Sequence, residues 1–269
     1  MLNIISKTKK NSNKLGGALG LLVIFSYLLA FSQPANAEKA SNSSSLEREN
    51  QGLPIQRRDG GSRSGKLSRC VDSSSNLIAL VPEARVASTN SNSPSLFFYI
   101  PETTEPKTIE FVLRNEADRL IYEDFITTTG KGIVEVNIPS RILASSVNTE
   151  QNYHWYLSLI CNPQYRSRDL VVEGWMRQEQ LDSATLERLS NTSNTVEKAE
   201  IYHQQGFWYD ALSMLAKHKV SSTDESAVAT KWLNLLQSVN LEELASEPIV
   251  ESISIKDFAN NRSQAELMP

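Results

Sequence analysis

Histidine and cysteine are scarce in this chain of 269 residues, which holds three His and two Cys. That excludes a Cys-rich scaffold and leaves little for a metal centre. Excess basic charge is missing too. There are 27 Lys and Arg against 31 Asp and Glu, a formal charge of −4, so no broad basic face is available for nucleic acid. The chain has no Gly-x-Ser-x-Gly elbow, no phosphate-cradling Gly-Lys-Ser/Thr loop and no dinucleotide fingerprint. Gly60-Gly61-Ser62 lies in a polar stretch and reads as linker. No metal site and no cofactor is expected. With 40% hydrophobic residues, the chain does have material for a packed core.

The N-terminus carries an address. Lys7, Lys9, Lys10 and Lys14 precede an apolar run from Leu15 to Phe31, and Ala35-Asn36-Ala37 supplies the small residues that a signal peptidase requires. Residues 1–37 are read as a signal peptide cleaved after Ala37. The alternative is an uncleaved anchor, for which a run of about 17 residues is at the lower limit. The signal holds four Lys and no acid, so the mature chain has 23 basic and 31 acidic residues, a charge of −8. It contains no second apolar stretch long enough to span a bilayer. The expected location is periplasmic or extracellular. In such a compartment Cys70 and Cys161 are expected to form one disulfide, with two separate buried thiols as the alternative. In the chain-entropy model a loop of that length stabilises by roughly 4–5 kcal/mol.

The mature chain divides by texture. Residues 38–65, rich in Ser, Asn, Arg and Gly, read as a flexible leader. Arg57, Arg58 and Arg63 there read as a solvated tail, since Glu47, Glu49 and Asp59 lie close by. Residues 66–180 read as β-structure. Leu77–Val81 and Leu96–Ile100 are apolar runs, each ended by Pro. Ile109, Phe111 and Leu113 alternate into a turn at 115–118, with a return strand from Leu120 to Ile126. Gly130-Lys131-Gly132 marks the next turn, followed by alternating Val134, Val136 and Ile138. In the run 153–161 a period of two places Tyr153, Trp155, Leu157, Leu159 and Cys161 on an inward face. His154, Tyr156 and Ser158 fall on the other, so His154 reads as exposed or partner-facing. The strand 170–178 is partly apolar on both faces. Val171 and Trp175 form its outward set, read as a seat for the helices.

Residues 181–246 read as helical, after an Asp182 or Ser183 cap. Ala199, Tyr202, Gly206, Trp208, Ala211, Leu212 and Leu215 have the spacing of a tetratricopeptide hairpin. Gly206 makes the turn there, while Tyr202 and Trp208 fill the groove. A third helix is expected at 224–239, with Asn240 and Glu243 as a capping box on a last short one. Residues 247–269 read as a disordered tail. The predicted fold class is therefore α+β: an antiparallel, Ig-like β-sandwich followed by a small α-helical, tetratricopeptide-like hairpin. An immunoglobulin domain proper is not expected, because Trp155 lies six positions before the second Cys rather than between a core pair.

The runs Leu77-Ile78-Ala79-Leu80-Val81-Pro82-Glu83, Phe97-Phe98-Tyr99-Ile100-Pro101, Leu157-Ser158-Leu159-Ile160-Cys161-Asn162-Pro163, Glu173-Gly174-Trp175 and Gly206-Phe207-Trp208-Tyr209-Asp210-Ala211-Leu212 occur in that order. Over about Cys70 to Pro248 the chain resembles a family of exported cyanobacterial proteins catalogued as a domain of unknown function, number 928. The family pattern has Asp after its second Cys, where this chain has Asn162. The resemblance implies export, one folded unit and the Cys pair. It carries over no catalytic residue.

The functional expectation is a non-enzymatic protein-binding or accessory module of the cell envelope, acting on another envelope or secreted protein. Tyr202 and Trp208 are its candidate partner-binding residues. The sequence leaves the oligomeric state open. The alternative is a carbohydrate-binding module with Tyr156, Trp175 or Trp208 as platform. A hydrolase without a recognisable motif is the third reading, with Glu102, Glu105, Asp124 and Glu173 as nominal acids. Arg166 and Asp169 are read as a turn lock in the loop before the last strand, in preference to Arg166 and Arg168 as a pair receiving a carboxylate or sulfate.

Overall fold

The computed structural model describes residues 55–59, 70–71, 76–83, 85–128, 131–143, 150–221 and 225–254. The segment expected to be a signal peptide, with its Ala37 site, most of the 38–65 segment including Arg63, and the last fifteen residues lie outside the described residues.

Two sheets form from the alternating runs. Strands β1 (Ile78–Ala79), β3 (Ser95–Ile100), β6 (Gly132–Asn137) and β9 (Ile249–Ser254) lie in that order in a four-stranded sheet. Strands β2 (Ala87–Thr89), β8 (Leu170–Gln178), β7 (Gln151–Ile160), β4 (Lys107–Asn115) and β5 (Leu120–Thr128) make a five-stranded one. The β4–β5 hairpin closes through Asn115, whose Oδ1 accepts from the N–H groups of Ala117 and Arg119, and through Asp118 at φ +57°. The sheets are mostly antiparallel, but β2 runs parallel to β8 and β9 parallel to β6. Here the expectation of a purely antiparallel architecture is corrected. Each parallel strand is an edge, reached from its partner by the long crossovers that such pairs require.

The period-two reading of β7 holds. Tyr153, Trp155, Leu157 and Leu159 are buried on one face. Phe98 of the smaller sheet meets the ring of Trp155 at 5.5 Å and that of Phe111 at 6.4 Å, both edge-on, so the aromatic centre of the core belongs to both sheets. Gly174 in β8 is required by that packing. A Cβ there would stand 2.5 Å from the Trp155 ring.

The helices are α1 (Ser140–Leu143), α2 (Ser183–Asn191), α3 (Thr195–Gln204), α4 (Trp208–Ser221) and α5 (Glu225–Gln237). Asp182 caps α2 by accepting from Thr185 N–H at 2.9 Å, and Asn194 caps α3 by accepting from Val196 and Glu197. Gly206 turns the chain between α3 and α4 at φ +85°, with open space around its Cα. The expected capping box at Asn240 does not form. Asn240 adopts φ +56°, the next turn (Glu242–Leu244) has no side-chain cap, and Glu243 pairs with Arg58 instead.

Both ends of the described chain close sheet edges. Gln56 exchanges backbone hydrogen bonds with Glu173 of β8, and Ala79 N–H of β1 donates to Arg57 O at 2.8 Å. The 55–59 segment is thus a strap across both sheets. Arg57 is 4% exposed, not a solvated tail residue. Its guanidinium donates to Val81 O and Val239 O and pairs with Glu83. At the other end, residues 249–254 form β9 where a disordered tail was expected. Ile133 N–H donates to Pro248 O at 2.7 Å as that pairing begins.

Gly174→Ala tests the central packing. It should lower the free energy of unfolding by about 1–3 kcal/mol, the usual cost of overpacking a full core. Denaturant melts should show a shifted midpoint with unchanged slope.

Candidate functional site

The run from Gly206 to Leu212 builds the helical region onto the sheets. Phe207 joins Leu181, Leu189 and Ile201 in a small apolar cluster beneath α2 and α3. Trp208 is 2% exposed and its indole donates to Leu80 O at 2.8 Å. Tyr209 OH accepts from the Trp155 indole at 3.2 Å and donates to Trp175 O at 3.3 Å. The contacts of α4 are therefore with β2, β3 and the core side of β7, not with the outward face of β8 where a seat was expected. Trp208 is a core side chain and has no surface to offer a partner. Tyr202 is half-buried, edge-on to Phe207.

Two clefts flank α4. The first, of about 180 Å³, runs between α3, α4 and α5. Val196, Ala199, Leu215 and Leu235 give it an apolar floor, and Glu200 with Lys231 form an ion pair across its rim at 2.6 Å. His203 lines one end, with Nε2 3.4 Å from Ser238 Oγ, and burial lowers its pKa. The second cleft, of about 240 Å³, separates α4 from the β2–β3 turn. Tyr202 and Tyr209 line it, with Asp210, Ser213 and Lys217 along the helix and hydroxyls of residues 89–95 opposite. Asp210 accepts from Asn90 N–H at 3.0 Å. Desolvation raises its carboxyl from an ordinary 3.8 to about 6, against the opposing pull of neutral donors on Asn90, Thr89 and Ser91. No charge or motif pattern singled out Asp210 in the sequence. Its signal was its place within a quoted family run.

On the outer face of the larger sheet, cross-strand register gathers His154, Tyr156, Glu173 and Trp175. The His154 ring stacks on Trp175 at 4.4 Å. Tyr156 OH lies 2.8 Å from His154 Nδ1, and Glu173 Oε2 is 3.5 Å from Nε2. His154 is 7% exposed, which overturns its reading as an exposed residue. Burial lowers the His154 pKa and raises those of Tyr156 and Glu173. All three shifts favour neutral groups. The set forms a packed polar seam on that face of the sheet.

Other nominal acids have partners of their own. Glu105 pairs with Lys107, while Asp124 accepts from Tyr122 OH. Asp124 on β5 and Glu173 on β8 are three strand spacings apart, roughly 14 Å, beyond the carboxylate separations of glycoside cleavage. Among the described residues no group of three or more His, Cys, Asp or Glu could hold a metal ion. The Arg166–Asp169 lock is present and larger than foreseen. Arg166 also pairs with Glu110 of β4, and Asp169 Oδ1 accepts from Cys161 N–H at 3.1 Å. That holds the loop beside the Cys70–Cys161 disulfide, whose Cα atoms are 5.2 Å apart.

Asp210 makes stability depend on pH in a defined direction. Its folded pKa lies above the unfolded value, so its proton stabilises the fold fully below about 3.8, and that contribution is lost as pH rises through about 6. His154 and His203, with lowered pKa values, act in the opposite sense: their contribution is present above about 6.5 and lost on acidification. Asp210→Asn removes the first effect and keeps the second. Between pH 4 and 7 the unfolding free energy of the variant should gain about 2–3 kcal/mol relative to the parent. Parallel denaturant melts at the two pH values measure it, and a constant difference would refute it.

No curated protein matches the chain. A family profile, described as Domain of Unknown Function (DUF928), matches residues 58–249. That interval takes in the strap's Arg58, both Cys, both clefts and the start of β9. The chain belongs to this family of proteins, DUF928.

Proposed function

We propose that the protein is an exported, non-enzymatic binding module of the cell envelope, and that it takes a peptide segment of another envelope or secreted protein in the groove between α3, α4 and α5. The carrying observation is that groove: an apolar floor of Val196, Ala199, Leu215 and Leu235 beneath the exposed Glu200–Lys231 pair. On this reading α3 and α4 are a tetratricopeptide-like hairpin on an Ig-like sandwich, and α5 stands where the first helix of a following repeat would. The groove then corresponds to the concave face on which such repeats take peptides. An exposed ion pair is worth about 0–1 kcal/mol, so peptide charges displace it at little cost.

Export after cleavage at Ala37 is supported by the disulfide, which persists in oxidising compartments. The carbohydrate alternative has weaker support. Of its three candidate platforms, Trp208 is buried, Trp175 has one face covered by His154, and Tyr156 is partly buried beside that ring. Mass spectrometry of the protein recovered from its natural host should give Glu38 as first residue. An intact Met1 would refute the cleavage.

Asn234→Trp fills the groove from a solvent-facing helix position and leaves the core untouched. Peptides selected from a displayed random library on the purified, disulfide-bonded protein should bind at least tenfold more weakly to this variant at unchanged melting temperature. Equal binding, or no selectable peptide, would overturn the groove assignment.

A further inference from the structure

The second cleft holds a largely buried carboxylate. Asp210 sits in the first turn of α4, largely shielded from water, and its donors on Asn90, Thr89 and Ser91 are all neutral. Lys217 lines the same cleft but stands seven residues along the helix, roughly 10 Å away along its axis. The largest causes acting on Asp210 are desolvation and neutral hydrogen-bond donors. A buried carboxylate without a cation is costly, and a cleft is where a ligand's cation can meet it.

The rest of the lining narrows the ligand. Asp210, Ser213, Met214 and Lys217 fall at i, i+3, i+4 and i+7, so one stripe of α4 forms a wall. The hydroxyls of Ser213 and Tyr202 make no hydrogen bond among the described residues, whereas Ser93 Oγ is committed to Asn137 Oδ1 and Ile138 O. Tyr202 lies near enough to feel the Asp210 charge, which adds to burial in raising its pKa. One carboxylate among neutral donors is a poor site for a hard divalent cation, which takes six or more oxygen ligands. At about 240 Å³ the cleft is smaller than the roughly 300–1,000 Å³ of sites for drug-sized molecules. A neutral polyol would use the hydroxyls but leave the charge unmet.

We propose that the cleft between α4 and the β2–β3 turn binds a small hydroxylated primary amine, its ammonium held by Asp210 and its hydroxyls by Ser213 and Tyr202. An ammonium at Asp210 gives a charge-assisted hydrogen bond in a site shielded from water, where such bonds are strong. Tyr209 forms the rigid back of the site, since its hydroxyl is already committed to Trp155 and Trp175. The proposal is independent of the peptide groove, which lies on the other side of α4.

Calorimetric titration of the whole disulfide-bonded protein at pH 7 tests it with four probes: D-glucosamine, 2-amino-1,3-propanediol, N-acetyl-D-glucosamine and D-glucose. At least one of the two amines should bind, and N-acetylglucosamine and glucose at least tenfold more weakly. Asp210→Asn should abolish amine binding. Ser213→Phe, which obstructs the cleft and keeps the carboxylate, should do the same, while Asn234→Trp should leave it unchanged. Affinity should fall about tenfold from pH 7 to pH 5 as Asp210 takes up its proton. The other titratable groups lining the cleft, Tyr202, Tyr209 and Lys217, are of types that hold their charge state across that range. The carboxyl carbon resonance of Asp210 should titrate at lower pH when the amine is bound, a shift that a merely structural Asp210 would not show. Binding of glucose as tight as that of glucosamine, amine binding that survives Asp210→Asn, or no binding of either amine would each overturn the assignment.

Discussion

The joint between Trp208 and Tyr209 and the two sheets is the contact on which the molecule depends. Consecutive residues of a helix point about 100° apart, so a single turn can reach two different surfaces. Trp208 reaches the carbonyl of Leu80, just past β1, and Tyr209 reaches β7 and β8. Each side chain is large, fully buried and hydrogen-bonded at its polar tip, the arrangement in which aromatic residues bury most area without an orphaned donor. The bonds are also mutually conditional. Without the Tyr209 hydroxyl, the indole N–H of Trp155 would be left in the core with no acceptor, at a cost of about 1–3 kcal/mol. The helices are therefore part of the same fold as the sheets.

The same logic governs the edges. An open strand edge is an invitation to pair with another chain. Here the strap pairs with β8 of the larger sheet and β1 of the smaller, and the C-terminal strand covers β6 on the far side of the smaller one. Arg57 converts the strap into a three-way tie. Its guanidinium has enough donors to serve Val81 O beside β1, Val239 O after α5 and the Glu83 carboxylate together. Burial lowers its pKa, opposed chiefly by Glu83. A guanidinium still stays charged inside the protein, so those acceptors are obligatory rather than optional.

How much of this was legible in the sequence follows from the range of each signal. Alternation is local, so the hairpin at 107–128 and the buried face of β7 could be read from the residues themselves. The need for Gly206 is local as well, and so is the Asp182 cap. Edge strands of two or three residues, such as β1 and β2, carry too short a pattern to declare a partner or a direction. Arg57 looked solvated because charge and neighbouring acids are sequence properties, while the carbonyls that bury it come from residues 24 and 182 positions away. Trp208 looked like a groove filler because helical spacing says which way a side chain points and not what it meets. Asp210 was invisible for a related reason. An acid in the first turn of a helix is the commonplace expectation, and only the packing of the 89–91 turn over it makes the carboxylate unusual.

Those distinctions bear on what kind of function the molecule suits. Both clefts use α4 as a wall, one through Leu215 and the other through Asp210 and Ser213. The helix is pinned at its first turn by two buried hydrogen-bonded aromatics, so its side chains stand in place before any ligand arrives. A wall held in this way spares a ligand the entropic cost of ordering the site, which is the main lever on affinity when little area is available. Chemistry would demand more: a nucleophile, a base within hydrogen-bond reach and donors aimed at developing charge. The best-assembled polar set on the sheet, His154 with Tyr156 and Glu173, is biased toward neutrality by burial and covered by its own stacking. The carboxylate of the second cleft accepts from donors on Asn90, Thr89 and Ser91. A pinned helix between two small, dissimilar clefts presents side chains of different chemistry on its two sides, apolar toward one cleft and polar toward the other.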